Sequence, residues 1–255
     1  MKIYTYYENV GKEGQQELLE LWQMSWDRQG FEPIILNRSH AENFKLYEEY
    51  YNFILEVHRK ASNHNLEDLN YAMAAQLEFA AFATINEPSF FSDYDVINIK
   101  YKPFSPDNKV HWRDGSCTCF STGGKSGWEE YISFLFDNIG KVIDHCSGIY
   151  QKTKRVRFHD QDFLQAVRNL DTFKDIANLT SNRKKTCASY DPILNKHMSM
   201  LSLTDWRIFE DISEVEILHL SNGNCNGLLQ TYDELKSHSQ ISLRLAMAKQ
   251  ILGLI

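Results

Sequence analysis

The first forty residues constrain the fold most. Lys2–Tyr7 (KIYTYY) is rich in β-branched and aromatic residues and predicts a strand. EGQQELLELWQMSWDRQG follows, with Leu18, Leu19, Trp22 and Trp26 on one helical face and Gly30 as its stop signal. Pro33–Leu36 (PIIL) predicts a second short strand. Strands linked by a helix run parallel when they neighbour each other, so this β-α-β start predicts an α/β domain on a mainly parallel sheet. The 255 residues suit one such domain.

Further along, apolar spacing predicts helices over about Phe44–Arg59 and Leu66–Phe82, the second with Leu66, Leu69, Met73, Leu77 and Ala80 on one stripe. Gly115–Thr122 (GSCTCFST) predicts a strand, and GWEEYISFLFDNIGKVI a helix starting near Trp128. FHDQDFLQAVRNL reads as a loop feeding a helix, and Glu214–Ser221 (EVEILHLS) as a late strand. An amphipathic helix over roughly Tyr232–Leu252 ends the pattern, its apolar face suited to the core or to a homodimer.

A net charge of −7 gives no cationic field for nonspecific nucleic-acid binding. No apolar run is long enough for a bilayer, and MKIYTYYENV reads as a strand rather than a signal peptide. The five cysteines lack metal-ligand spacing and read as free thiols in a reducing, cytoplasmic setting.

Polar clusters at element ends carry the chemistry. In FFSDYDVINI, Asp93 and Asp95 flank Tyr94 directly before an apolar run. Two adjacent carboxylates repel unless a cation relieves them, and a hard divalent ion with oxygen ligands does so. The pair is expected at a helix-to-strand junction, where α/β folds form ligand clefts. An ordinary acidic turn is the plainer alternative. His219 ends a strong strand in EILHLSNGNCNG, where a satisfied core histidine is the plainer alternative. Asp160, Gln161 and Asp162 stand where a helix should begin, and one of the two acids is expected to cap it. Tyr4, Thr5 and Tyr6 offer rings and hydroxyls at the first strand's end, where a nucleobase could stack.

Taken in order, DYDVIN, DQDFL and ILHLSNG after a β-α-β start resemble the nucleotide-sugar glycosyltransferases of the GT-A fold. The likeness is greatest to the retaining galactosyltransferase and glycogenin group, as scattered motifs from Lys2 to about Asn224. The resemblance implies a single domain over 1–255, with residues 1–100 binding the nucleotide-sugar donor and 101–255 the acceptor. It implies that Asp93, Asp95 and His219 hold Mn²⁺ or Mg²⁺ on the donor diphosphate, with Tyr94 beside them. Tyr4, Thr5 and Tyr6 would line the base pocket. Asp160, Gln161 and Asp162 would face the sugar and a glycan or other hydroxyl acceptor. Asp160 or Asp162 is the available base for inversion, while the intervening glutamine favours retention, and a UDP-sugar is the favoured donor.

The chain departs from that group after His219, where the lysine and tryptophan of its pattern are missing. Lys125, Arg183, Lys184 or Lys185 are the candidates for holding phosphate, with an ordinary basic surface loop the plainer reading of TSNRKKTCAS. KVHWRDGS and STGGKSGWEE are expected to be acceptor loops, where Trp112 or Trp128 could stack on a sugar, although local packing is the plainer reading. The alternative is a non-catalytic sugar- or protein-binding module on a degenerate fold of the same type. A haloacid-dehalogenase-type phosphatase is disfavoured because the first strand lacks acids, and a nuclease because no basic groove is present.

Overall fold

The structure is a computed structural model that describes residues 1–9, 11, 13–64, 70–114, 117–179, 186–187, 216–221, 225, 229 and 239–254. It begins as the alternation predicts. Strand β1 (Lys2–Tyr6) leads to helix α1 (Gln15–Asp27), and strand β2 (Glu32–Leu36) returns beside β1 in parallel. Helices α2 (Arg38–Ala41), α3 (Tyr47–Ser62) and α4 (Asn70–Phe82) follow, then strands β3 (Ser89–Ser92) and β4 (Val96–Asn98). Strands β5 (Val110–Asp114) and β6 (Cys117–Gly123) form an antiparallel pair. Next come helices α5 (Lys125–Asp137), α6 (Ile139–Thr153), α7 (Asp160–Val167) and α8 (Phe173–Ile176), then strands β7 (Ala177–Leu179), β8 (Thr186–Cys187) and β9 (Ile217–His219). The last is helix α9 (Gln240–Ile251).

The main sheet has the order β2-β1-β3-β6-β5-β7. The β1–β2, β1–β3 and β5–β7 pairings are parallel, and both pairings of β6 are antiparallel. The sheet is thus mixed and mainly parallel, with β6 the strand that runs against the rest. A second sheet, β4-β9-β8, sits beside it.

Period-two alternation sorts the two faces of the main sheet. Tyr4, Tyr6, Phe91, Val110 and Trp112 join the core built with α3 to α7. Ile3 and Phe90, their neighbours in sequence, turn to the other face and meet Leu19, Trp22 and Trp26 of α1. Helices therefore cover both faces, as a parallel sheet requires.

Several expectations are corrected here. KVHWRDGS is not a loop over residues 110–114. Its first part is β5, in which Val110 and Trp112 are fully buried. STGGKSGWEE is likewise the end of β6 and the start of α5. Trp112 and Trp128 have no exposed surface and pack edge-to-face at 5.9 Å, so neither can stack on a sugar. The helix predicted from Trp128 is two helices that break at Asn138, whose side-chain amide donates to the Phe134 carbonyl at 2.9 Å. Of the last predicted helix, residues 240–251 are helical, and its apolar face is taken up by the core. Leu243, Met247 and Ala248 pack with Leu18 and Leu21 of α1 and with Ile97, Leu218 and Leu220 around the second sheet.

Gly14 is the residue that lets α9 lie so close to the start of α1. Its φ of 75° is left-handed, and a Cβ there would stand 2.5 Å from the Ile241 side chain. Lys249 pairs with Glu17 at 2.6 Å, and Arg28 donates to the Leu252 carbonyl at 2.6 Å, fixing the far end of α9.

Candidate metal and nucleotide site

The paired aspartates sit in a tight connection between two strands of different sheets, not at a helix-to-strand junction as predicted. β3 ends at Ser92 in the main sheet, and β4 starts at Val96 in the small one. The Asp93 N–H donates to the Cys119 carbonyl at 2.9 Å, and the Val96 N–H closes a turn onto the Asp93 carbonyl at 3.1 Å.

Helix α1 grips this connection from behind. The Trp22 indole N–H donates to Ser92 Oγ at 2.9 Å, and the Trp26 indole N–H to the Val96 carbonyl at 3.0 Å. Gln15 donates to the Tyr94 hydroxyl at 3.0 Å. The two tryptophans, chosen by helical period as core residues, also place the segment through their N–H groups.

His219 arrives through strand pairing. β9 runs antiparallel to β4 with His219 opposite Val96, and the Leu220 N–H donates to the Asp95 carbonyl at 2.9 Å. His219 Nε2 consequently lies 3.3 Å from Asp95 Oδ1 and 3.7 Å from Asp93 Oδ2. One ligand atom from each of Asp93, Asp95 and His219 falls within 4.8 Å of the other two.

Asp95 is 8% exposed, and its buried Oδ1 faces His219 Nε2 at 3.3 Å. Its Oδ2 accepts from Arg244 of α9, which is 4% exposed. Burial by itself would raise the Asp95 carboxyl, but His219 and then Arg244 pull it below the usual carboxylate value, so it is held as the anion. A divalent ion with ligands near 2.1 Å keeps them about 3 to 4 Å apart. The two separations from His219, 3.3 and 3.7 Å, fit that spacing, and Asp95 Oδ1 is an anionic ligand atom that faces His219 rather than Arg244.

The cleft in front of this cluster is lined by the end of β1 and its extension (Tyr6, Tyr7, Glu8), by Ala74, Ala75 and Glu78 of α4, by Thr118 of β6 and by His159, Asp160 and Gln161. The predicted D-Q-D segment splits. Asp160 and Gln161 face the cleft, with Asp160 accepting from the Thr118 hydroxyl. Asp162 does not line it. Its carboxylate accepts from Arg155 at 2.7 and 2.8 Å and from the His159 N–H at 2.8 Å, which is the capping role foreseen for one of the two acids.

The first strand shifts by one pleat. Tyr4 stacks on Phe91 at 5.7 Å and Thr5 is fully buried, so neither lines the cleft. Tyr6 does, together with Tyr7 and Glu8 beyond the strand. The Tyr6 hydroxyl donates to Glu8, which also accepts a bidentate pair from Arg38 at 3.2 and 3.0 Å. Burial and then the Glu8 carboxylate push the Tyr6 hydroxyl far above its ordinary value, so it remains a donor. Lys125 is exposed at the start of α5 and outside the cleft, while Arg183, Lys184 and Lys185 lie outside the described residues.

The cleft also takes in residues that were not predicted as site residues, among them Tyr7, Glu78, His159 and Arg244. Arg244 carried no motif, and Tyr7 directly follows the predicted Tyr4–Tyr6. Glu78 is the single charge in NYAMAAQLEFAAF, and that isolation was a readable signal. His159 immediately precedes the acidic pair, and burial lowers its imidazole despite Asp162, which keeps it neutral near pH 7.

A family model described as Domain of unknown function (DUF8765) matches residues 1–64, which span the β-α-β start and α3. No curated protein and no solved structure matches the chain. No helix among the described residues is long and apolar enough to cross a membrane. Cys119, Cys146 and Cys225 are buried free thiols.

Proposed function

We propose that the chain is a metal-dependent glycosyltransferase of the GT-A type, which moves a sugar from a nucleotide-diphosphate donor to a hydroxyl acceptor. The observation that carries the reading is the meeting of Asp93, Asp95 and His219 within 4.8 Å of one another, with the buried Asp95 held as the anion. The mixed, mainly parallel sheet supports it, because the D-x-D connection leaves that sheet for the strand beside His219. Asp93, Asp95 and His219 would hold Mn²⁺ or Mg²⁺, which supplies charge neutralisation for the leaving nucleoside diphosphate. Tyr6, Tyr7 and Glu8 would receive the nucleoside, replacing Tyr4 and Thr5 in that role. Asp160, held by Thr118, and Gln161 would orient the sugar.

In this reading the sugar C–O bond to the diphosphate breaks and a bond to the acceptor oxygen forms. The acceptor proton passes to the leaving phosphate oxygen, and retention is favoured. Asp162, one of two acids an inverting reaction could recruit, is already committed to Arg155 and the His159 N–H. One observation favours the alternative of a non-catalytic sugar- or protein-binding module: Arg244 already neutralises Asp95 without a metal.

Calorimetry with UDP-, GDP- and dTDP-sugars, with and without Mn²⁺, separates the two readings. Asp95→Ala would strand the buried Arg244 charge, so Asp93→Asn is the cleaner variant, since the Asp93 side chain is 33% exposed. Metal-dependent binding of one donor, lost in Asp93→Asn, supports the transferase. A folded protein that binds none of them supports the binding module.

A further inference from the structure

We propose that Arg244, buried beside Asp95 and lining the cleft, is a cation that receives the diphosphate at the metal site. The proposal rests on the metal reading above and assigns a further binding residue within that site.

A guanidinium is rarely buried unless an anion repays its lost hydration. Arg244 is 4% exposed, donates to Asp95 Oδ2 and lines the same cleft as Asp93, His219 and Ser221. It reaches that place from α9, which α1 holds through the Gly14 contact, the Lys249–Glu17 pair and the Arg28 bond to Leu252. Arg244 leaves Oδ1 of Asp95 facing His219 at 3.3 Å, so one carboxylate can serve the arginine and a metal together.

Charge counting gives Arg244 its function. Asp93, Asp95 and Arg244 sum to −1, with His219 neutral as a ligand. A divalent ion turns that cluster to +1, which attracts a diphosphate. Without Arg244 the same cluster would start at −2 and be neutral when loaded, a stronger chelator and a poorer anion receptor. Arg244 therefore opposes the bare ion and favours the ion together with its diphosphate.

The two effects have opposite signs, which a packing role would not produce. Arg244→Gln keeps an N–H for Asp95 and removes the charge, while Arg244→Lys keeps the charge and loses the fork. The probes are Mn²⁺ alone, then inorganic pyrophosphate at saturating Mn²⁺, each measured by calorimetry. One unit charge at this range is worth about tenfold or more in affinity. Arg244→Gln is expected to bind Mn²⁺ about tenfold tighter and pyrophosphate about tenfold weaker than wild type, with Arg244→Lys within about threefold of wild type on both. Wild type binding Mn²⁺ while Arg244→Gln moves both affinities the same way, or neither, overturns the assignment of Arg244 alone. Wild type binding no Mn²⁺ overturns the metal reading itself, and the Arg244 proposal with it.

Discussion

His58 should make the stability of this protein fall between neutral and mildly acidic pH. The residue lies in α3 with no exposed surface, its ring shared between two backbones. Its Nδ1 is 3.0 Å from the Ile54 carbonyl, and its Nε2 is 3.2 Å from the Phe158 N–H. A backbone N–H can only donate, so Nε2 must accept and Nδ1 must carry the proton. That is one tautomer of the neutral ring, and protonation would turn an N–H against an N–H.

Burial accordingly lowers the imidazole to about 4 from 6.5, against the smaller opposing effect of its two backbone hydrogen bonds. The folded pKa lies below the unfolded one, so the unfolded chain binds more protons across this window. Stability is full above about pH 7, falls as pH drops through 6.5, and stops falling below about 4. At about 1.4 kcal/mol per pH unit the whole loss is about 3 kcal/mol, of which about 2 has gone by pH 5. The assay is urea denaturation at pH 7.5 and pH 5.0 for wild type and His58→Gln, whose amide oxygen can still accept from Phe158. The wild type should lose about 2 kcal/mol more than the variant between the two pH values. Equal losses in both proteins would refute the assignment of a neutral, doubly bonded ring. The site has a stake in this clamp, because Gln76 donates to the Phe158 carbonyl at 3.1 Å and Asp160 lies two residues on.

Asp162→Ala should cost about 1 to 2 kcal/mol in chemical denaturation by removing the cap of α7 and the Arg155 pair, yet leave Mn²⁺ affinity unchanged. Asp160→Asn should do the reverse, holding stability within about 1 kcal/mol while abolishing sugar transfer, read as release of nucleoside diphosphate. Gly14→Ala should lower the melting temperature through a loss of about 1 to 3 kcal/mol, because φ is 75° and the new Cβ would meet Ile241 at 2.5 Å. The same substitution should weaken pyrophosphate binding at saturating Mn²⁺, since the displaced helix carries Arg244.

Local pattern made some of this architecture legible and long-range contact hid the rest. The β-α-β start could be read because strand alternation and helical period are properties of neighbouring residues. Asp93 and Asp95 could be read because like charges side by side demand an explanation. His219 could be paired with them only through resemblance, since nothing local says that β9 lies against β4. Asp162 was separable from Asp160 in principle, because capping needs one acid and the third helical position is where it acts. Trp112 and Trp128 were ambiguous because an aromatic ring in a polar stretch reads the same whether it stacks on a ligand or on another ring, and local packing, the plainer reading, is what the structure shows. The alternation of Val110 and Trp112 in VHWRD was the better signal, and it marks a strand. Arg244 was out of reach. It is one cation in a helix 149 residues after its partner, and only the packing of α9 on α1 brings the two together.

The most direct test of the account is calorimetric titration of Mn²⁺ onto the wild type and onto Asp93→Asn. One ion per chain is expected for the wild type and at least about tenfold weaker binding for the variant, because one of three ligands loses its charge. Absence of binding by the folded wild type, or equal binding by both proteins, would contradict that expectation.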